Sequence, residues 1–233
     1  MLLKVKDLVA GYGHKQVLHR VSLDIDAGEI VALLGHNGAG KTTILNCIFG
    51  LSPISKGRVS FNGTEITNRN TASNVKEGIS MVTQGRGLFA ELSVLDNLKL
   101  GGYILGRGVD VEERLEDVYT LFPILRERRS QLAGTLSGGE QQMVAIGISL
   151  IVRPKLLLMD EPSLGLSPLL AENIMENIKE VNKRFGSSVL LVEQNLKQAF
   201  SIANRAYVMK MGKIILEEDA QSMLSRESFW DLF

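Results

Sequence analysis

Apolar residues alternate with polar ones at several places near the start of the chain. Leu3 and Val5 follow this pattern, and so do Val21, Leu23 and Ile25. Alternation with a period of two is typical of strands that bury one face. Residues 1–34 are therefore predicted to be rich in strands, ending in the apolar stretch 30–34.

A different pattern marks two later strands. Residues 156–159 are apolar at every position, and a further apolar stretch covers 187–193. A strand that is apolar throughout is buried on both faces, as in a parallel sheet. Between the first strands and these two later ones, apolar residues recur with the spacing of a helix. They are Leu95 and Leu98, and then Leu115, Val118 and Phe122. Residues from about 90 to 150 are predicted to be mainly helical.

Composition narrows the class of protein without deciding it. The chain has 233 residues, 45% of them hydrophobic and 22% charged, as expected for one large folded domain. Lys+Arg and Asp+Glu both number 26, so nothing indicates a nucleic-acid partner. The single Cys47 forms no disulfide within the chain, which favours a reducing compartment. The sequence shows no apolar run long enough to span a membrane, and its charged start does not resemble a secretory signal.

A glycine-rich segment follows the strand at 30–34 and precedes a predicted helix. Its residues are Gly35, His36, Asn37, Gly38, Ala39, Gly40, Lys41, Thr42 and Thr43. Glycines let the backbone curl so that successive N–H groups point at phosphate oxygens, and the helix start adds partial positive charge. Lys41 places a charge at the β- and γ-phosphates, and the Thr42 hydroxyl is suited to Mg²⁺. A glycine-rich turn without function remains the alternative at this point.

The strand at 156–159 ends in two carboxylates, Asp160 and Glu161. The carboxyl ends of parallel strands are where ligands bind in open α/β sheets. Asp160 is placed to approach Mg²⁺, and Glu161 is placed to orient or deprotonate a water molecule.

Ser137 and Glu140 have the spacing of a capping box, which predicts the start of a helix. The two residues between them, Gly138 and Gly139, leave backbone N–H groups open to an anion. Two other residues are weak signals by themselves: Tyr12 offers an aromatic face to a purine base, and Gln84 follows a short predicted strand.

Together these segments resemble the ATP-binding-cassette (ABC) ATPases over essentially the whole chain. Residues 35–42 match the Walker A motif, 156–161 match Walker B with its catalytic glutamate, and 136–140 match the signature Leu-Ser-Gly-Gly-Glu. Tyr12 falls where the family has a stacking aromatic residue, and Gln84 falls in its Q-loop. The signature is the most specific element, because other phosphate-loop proteins lack it.

The resemblance implies an α/β fold, a P-loop NTPase nucleotide-binding domain of the ABC type. Residues 1–233 would form this single domain, with a small antiparallel β subdomain and a helical subdomain, about 90–150, inserted in the P-loop core. ATP and Mg²⁺ are the implied cofactors. The implied metal-binding residues are Thr42, Gln84 and Asp160, and the implied catalytic residues are Gln84, Glu161 and Gln194.

The resemblance also implies a dimer in which two chains pair head to tail. Each ATP would lie between the phosphate loop of one chain and Ser137, Gly138, Gly139 and Glu140 of the other. Hydrolysis removes the γ-phosphate that bridges the two chains and should loosen the dimer.

Two departures from the usual family pattern narrow the resemblance. Gln194 stands where most members have a histidine, and Ser167 ends a loop that usually ends in aspartate. With Gly165 to Pro168, and with 85–89 after Gln84, these features resemble one of the two ATPases of branched-chain amino acid importers. The ATPases of urea and amide importers look similar.

An importer of this kind implies a peripheral location on the cytoplasmic face of the cell membrane. Its partners would be transmembrane permease subunits, a second ATPase (identical or different) and, indirectly, an extracytoplasmic solute-binding protein. Two other functions stay open at this stage. One is a soluble ABC ATPase acting on DNA or ribosomes, which the neutral charge and the absence of a coiled-coil insertion or a second cassette disfavour. The other is a regulatory ATP-binding module, suggested by Gln194, because a glutamine cannot carry a proton near neutral pH.

Overall fold

The computed structural model describes residues 1–85, 87–106 and 109–224. Arg86, in the segment 85–89, lies outside these residues, and so does the aromatic cluster Phe229, Trp230 and Phe233 near the end of the sequence. In chain order the strands of the described ranges are β1 (Leu3–Tyr12), β2 (Lys15–Ile25), β3 (Ile30–Leu34), β4 (Ile54–Phe61), β5 (Thr64–Glu65), β6 (Ile79–Val82), β7 (Leu156–Asp160), β8 (Ser188–Glu193), β9 (Arg205–Lys210) and β10 (Lys213–Asp219).

The helices of the same ranges include those predicted after the glycine-rich segment, within about 90–150 and after Ser137. They are α1 (Lys41–Phe49), α2 (Thr71–Glu77), α3 (Val94–Gly101), α4 (Val111–Leu121), α5 (Pro123–Glu127), α6 (Gly138–Leu150), α7 (Pro168–Phe185), α8 (Leu196–Ile202) and α9 (Ala220–Leu224). A 3-10 turn, Ala133–Thr135, precedes α6. The helices from α3 to α6 confirm the mainly helical stretch. None of the helices in the described part of the chain is long and apolar enough to cross a membrane.

The strands form two sheets. An antiparallel sheet has the order β2-β1-β4-β5, and a second sheet has the order β10-β9-β3-β8-β7-β6. In the second sheet, β9, β3, β8, β7 and β6 run parallel, and only the edge strand β10 is antiparallel to its neighbour. This is an α/β fold with a small antiparallel sheet, as the family resemblance implies.

The parallel strands are covered on both faces, which explains why they are apolar at every position. Ala32 and Leu34 of β3 point into a core shared with the helices α3 to α8. Val31 and Leu33 of the same strand point into a second core formed with α1 and the antiparallel sheet. A strand between two apolar layers exposes no face that could carry polar residues.

Several helices begin at a serine whose side chain caps the first turn. Ser93 accepts a hydrogen bond from the Asp96 N–H at the start of α3, and Ser167 caps α7 with Pro168 as its first residue. At α6, Ser137 and Glu140 form the reciprocal capping box. These are contacts over three residues, so the sequence alone contains them.

Arg205 on β9 joins the two sheets through charged contacts. Its guanidinium lies 2.9 Å from Asp24 Oδ2 and 2.6 Å from Glu29 Oε1, and it also pairs with Glu217. The same group donates to the Tyr207 hydroxyl at 2.6 Å. Asp24 belongs to β2, so the cluster ties the antiparallel sheet to the parallel one.

Arg205→Ala should therefore lower the free energy of unfolding by about 2–3 kcal/mol, because Glu29 loses its cation in a site where it is largely shielded from water. Urea or thermal denaturation measures the change. Arg58→Ala, at an exposed arginine of β4, is the matched control and should change stability by less than about 0.5 kcal/mol. Equal losses in the two variants would contradict a special role for the Arg205 cluster.

Candidate functional site

Four of the predicted groups of site residues meet at the carboxyl edge of four neighbouring strands. The order β3-β8-β7-β6 places the ends of these strands side by side, and all four run parallel. The glycine-rich loop follows β3, Gln194 follows β8, Glu161 follows β7, and Gln84 lies two residues after β6. Segments far apart in sequence therefore face one another across a few ångströms.

The loop that follows β3 has a conformation that requires glycine at two points. Gly40 has φ 107°, a left-handed conformation that side chains disfavour. A Cβ on Gly35 would lie 2.4 Å from the Met209 carbonyl oxygen. The helix α1 begins directly after Gly40 with no side-chain cap. Its first N–H groups are thus left for a ligand, and an anion suits them best.

Lys41 is the buried cation of this loop. It is 4% exposed, and its Nζ donates to the carbonyls of Gly35 at 2.7 Å and His36 at 3.2 Å. Burial lowers the pKa of Lys41, and the charges of Glu161 and Asp160 oppose that shift. The ammonium group is fixed at the mouth of the curled loop, where it can meet a phosphate.

Asp160 ends β7 with its side chain almost wholly buried. Burial raises the pKa of this carboxyl, while the hydrogen bond with Thr42 and the charge of Lys41 lower it. Its Oδ1 has no hydrogen-bond partner among the described residues. A buried carboxylate oxygen without a partner costs free energy unless a ligand satisfies it. A hard cation such as Mg²⁺ fits this oxygen and the adjacent Thr42 hydroxyl.

Glu161 is held from three directions. Its Oε1 accepts from Gln194 Nε2 at 2.6 Å and lies 3.7 Å from Lys41 Nζ, and its Oε2 accepts from Gln84 Nε2 at 3.1 Å. Its backbone has φ 51°, and its N–H bonds to the Val192 carbonyl at 2.9 Å. A non-glycine residue in this conformation is uncommon and typical of functional turns. The carboxylate is thus aimed at the site by the fold.

A cavity of about 510 Å³ opens over the loop. Its lining includes Tyr12, Gln84 and Glu161 together with Gly38, Gly40, Lys41, Thr42 and Thr43. The Tyr12 hydroxyl lies 3.4 Å from Thr43 Oγ1, and the ring is half exposed. The structure therefore places an aromatic face, the glycine-rich loop and a carboxylate around one cavity large enough for a nucleotide.

The segment Ser137–Glu140 lies elsewhere. Among the residues that the structure describes, those lining the large cavity do not include any of the four. Ser137 is exposed, and the Glu140 carboxylate is occupied by the Ser137 N–H at 2.8 Å and by Arg128 Nε at 3.1 Å. Within one chain this helix start does not meet the loop, so a joint site needs a second chain.

One residue that sequence reasoning missed is Glu193. It ends β8 and is 2% exposed. The signal was available, because a carboxylate ends this apolar strand as Asp160 ends β7. Its hydrogen-bond partner Ser163 lies 30 residues away, and no pattern in the sequence connects the two residues.

A parallel sheet whose strand ends gather a curled glycine loop, a buried lysine and two carboxylates defines a phosphate-loop nucleotide-hydrolysing protein. The chain belongs to the ABC transporter family, whose profile matches residues 18–164. It is an ATPase of the ATP-binding-cassette type.

Two relatives are similar over almost their whole length. The high-affinity branched-chain amino acid transport ATP-binding protein BraG of Pseudomonas aeruginosa is 42% identical over 222 residues, covering 95% of this chain and 94% of the relative. The probable branched-chain amino acid transport ATP-binding protein LivF of Archaeoglobus fulgidus is 37% identical over 228 residues, covering 98% and 96%.

Solved structures agree with the fold. The ADP conformation of an ATP-binding cassette of an ABC transporter aligns with a TM-score of 0.85 and 30% identity, covering 99% of this chain and 97% of that one. A dimeric cassette in a post-hydrolysis state, bound to ADP and Pi, aligns with a TM-score of 0.83 and 28% identity, covering 94% and 99%.

Proposed function

We propose that this chain is the ATP-hydrolysing subunit of an importer for branched-chain amino acids, with residues 1–233 forming one ATPase domain. The observation that carries the catalytic role is the position of Glu161, held by Gln84 and Gln194 at the edge of the cavity above Lys41. The two relatives named for branched-chain amino acid transport support the substrate class.

In this proposal the loop at 35–43 holds the phosphates of ATP, and Tyr12 stacks on the adenine. The open N–H groups at the start of α1 and the Lys41 ammonium bind the β- and γ-phosphate oxygens. Glu161 orients a water molecule and accepts its proton as it attacks the γ-phosphate. Gln84 and Gln194 direct the carboxylate, and Gln194 can move its amide hydrogen bond from Glu161 to the γ-phosphate.

The proposed metal ion is Mg²⁺, held by Thr42, Asp160 and Gln84. The unpartnered Asp160 Oδ1 and the neighbouring Thr42 hydroxyl support this ligand set. When bound, Mg²⁺ would neutralise charge on the phosphates. Among the described residues, Lys41 is the ammonium that lies against Asp160 and Glu161, so a further cation suits the local charge balance.

The proposed working unit is a head-to-tail dimer bound to transmembrane permease subunits on the cytoplasmic face of the cell membrane. The separation of Ser137–Glu140 from the phosphate loop supports it, because a second chain could supply the Ser137 hydroxyl and the N–H groups at the start of α6 to the γ-phosphate. ATP would then hold two chains together, and hydrolysis would release them.

The test is reconstitution with the membrane proteins that copurify from detergent-solubilised membranes. Those proteins and this chain are placed in liposomes with the extracytoplasmic binding protein, and ATP turnover is measured with leucine, isoleucine or valine and with urea or acetamide. We expect several-fold stimulation by the branched-chain amino acids only. Stimulation by urea or acetamide instead would reassign the solute, and no copurifying membrane protein would contradict the transport role.

A further inference from the structure

Glu193 is a buried carboxylate whose two oxygens bind backbone groups of two different loops. Its Oε1 accepts the Ser163 N–H at 3.1 Å, and its Oε2 accepts the Gln194 N–H at 3.2 Å. Burial raises the pKa of Glu193, and the hydrogen bonds from Ser163 and Gln194 lower it. Burying a carboxylate costs free energy unless hydrogen bonds compensate it. The two backbone N–H groups provide that compensation for Glu193.

Both loops are connected to Glu161, the proposed general base. Ser163 is the second residue after Glu161, and Gln194 is the residue whose amide donates to Glu161 Oε1 at 2.6 Å. The carboxylate of Glu193 thus joins the backbone on one side of Glu161 to the backbone of its hydrogen-bond donor. A change in the distance between the loops changes the aim of the Gln194 amide.

The position of Glu193 relative to the cavities separates it from nucleotide binding. A second, smaller cavity of about 260 Å³ is lined by Glu193, Ser163 and Gln194 among others. Glu161 lines both this cavity and the one over the phosphate loop, whereas the described lining of the latter does not include Glu193. Glu193 therefore lies near Glu161 without lining the cavity proposed for the nucleotide.

We propose that Glu193 is a positioning residue for ATP hydrolysis, acting through Gln194 on Glu161. By holding the Ser163 and Gln194 backbones together, it keeps the Gln194 amide aimed at the carboxylate that activates water. Glu193 contacts neither ATP nor the reacting atoms. The inference rests on the proposed role of Glu161 as the base.

Glu193→Gln tests it with little change in volume. The variant keeps one oxygen as an acceptor but replaces the other with an NH2 group, which cannot accept the second backbone N–H. We expect kcat to fall about 10- to 100-fold in the reconstituted complex, with KM for ATP and Kd for a non-hydrolysable ATP analogue changed less than about twofold. A KM rise with an unchanged kcat would overturn the proposal.

A double-mutant cycle with Gln194→Ala tests whether Glu193 acts through Gln194. If it does, the double variant should have nearly the kcat of the slower single variant, because both changes disrupt the same Gln194–Glu161 interaction. If the fold-loss in kcat of the double variant equals the product of the two single losses, the two residues act independently, and the inference is overturned. Should Glu193→Gln fail to fold, Glu193→Asp replaces it in the same cycle, since it keeps the charge but shortens the reach.

Ser188→Ala is the matched control on the same strand. Ser188 is buried at the opposite end of β8, where its Oγ accepts the Gly28 N–H at 2.8 Å and donates to the Asp26 carbonyl at 3.0 Å. This variant should lose stability yet keep its kcat. If Glu193→Gln also lost only stability, its role would be purely structural. A Glu161→Gln variant that turns over normally contradicts the proposed function itself, so the two failures are distinguishable.

Discussion

Glu161→Gln is expected to lower ATP turnover at least 100-fold while leaving ATP binding intact. The glutamine has nearly the same shape, but its neutral amide cannot accept a proton from water, and general bases contribute factors of about 10² to 10⁴. The phosphate loop and Lys41 are untouched, and the repulsion between the carboxylate and the γ-phosphate is removed. ATP should therefore accumulate unhydrolysed and hold two chains together.

Two measurements check this expectation: phosphate release in steady state, and size-exclusion chromatography with light scattering in the presence of MgATP. We expect a stable dimer of the variant under conditions where the parent returns to monomer. Glu176→Gln, at an exposed carboxylate of α7, is the matched control and should behave as the parent. Turnover of Glu161→Gln at the parent rate would remove Glu161 from its proposed role.

Lys41→Ala should weaken ATP binding by roughly 100-fold, equivalent to about 2.7 kcal/mol. The loss combines the charged hydrogen bond to phosphate with the electrostatic cost of Asp160 and Glu161, which then face the nucleotide without their cation. Isothermal titration with MgATP measures the affinity, and the melting temperature of the variant shows whether the loop has kept its fold.

The control for this change is Lys179→Ala, which removes an exposed lysine from α7. It should leave the affinity within about twofold of the parent. An unchanged affinity in Lys41→Ala would contradict the assignment of 35–43 as the phosphate loop. If the affinity and the melting temperature fell together, Lys41→Arg, which keeps the charge, would separate the charge effect from the loss of the contacts with Gly35 and His36.

Much of the site was predictable because its determinants are local. The curled loop depends on the left-handed backbone of Gly40, and the capping box at Ser137 spans three residues. The carboxylates Asp160 and Glu161 stood out because they end a strand that is otherwise apolar. In each case, the physical constraint and the residues that satisfy it lie within a few positions of one another.

The contacts around Glu161 were not predictable in this way. The positions of Gln84 and Gln194 in the sequence supported the family resemblance. They did not indicate that both side-chain amides donate to the same carboxylate, that of Glu161. Glu193 was overlooked for the same reason, because its role depends on the Ser163 backbone 30 residues away in sequence.

The sequence by itself determined the glycine-rich loop, the paired carboxylates, the helix start at Ser137 and the strands buried on both faces. Only the tertiary structure decided the strand order β3-β8-β7-β6, which inserts β8 between the loop and Glu161. The reason is that hydrophobic periodicity reports which faces of a strand are buried, whereas the neighbours of that strand depend on how the helices pack across both faces of the sheet. That order places Gln194 and Glu193 beside Glu161.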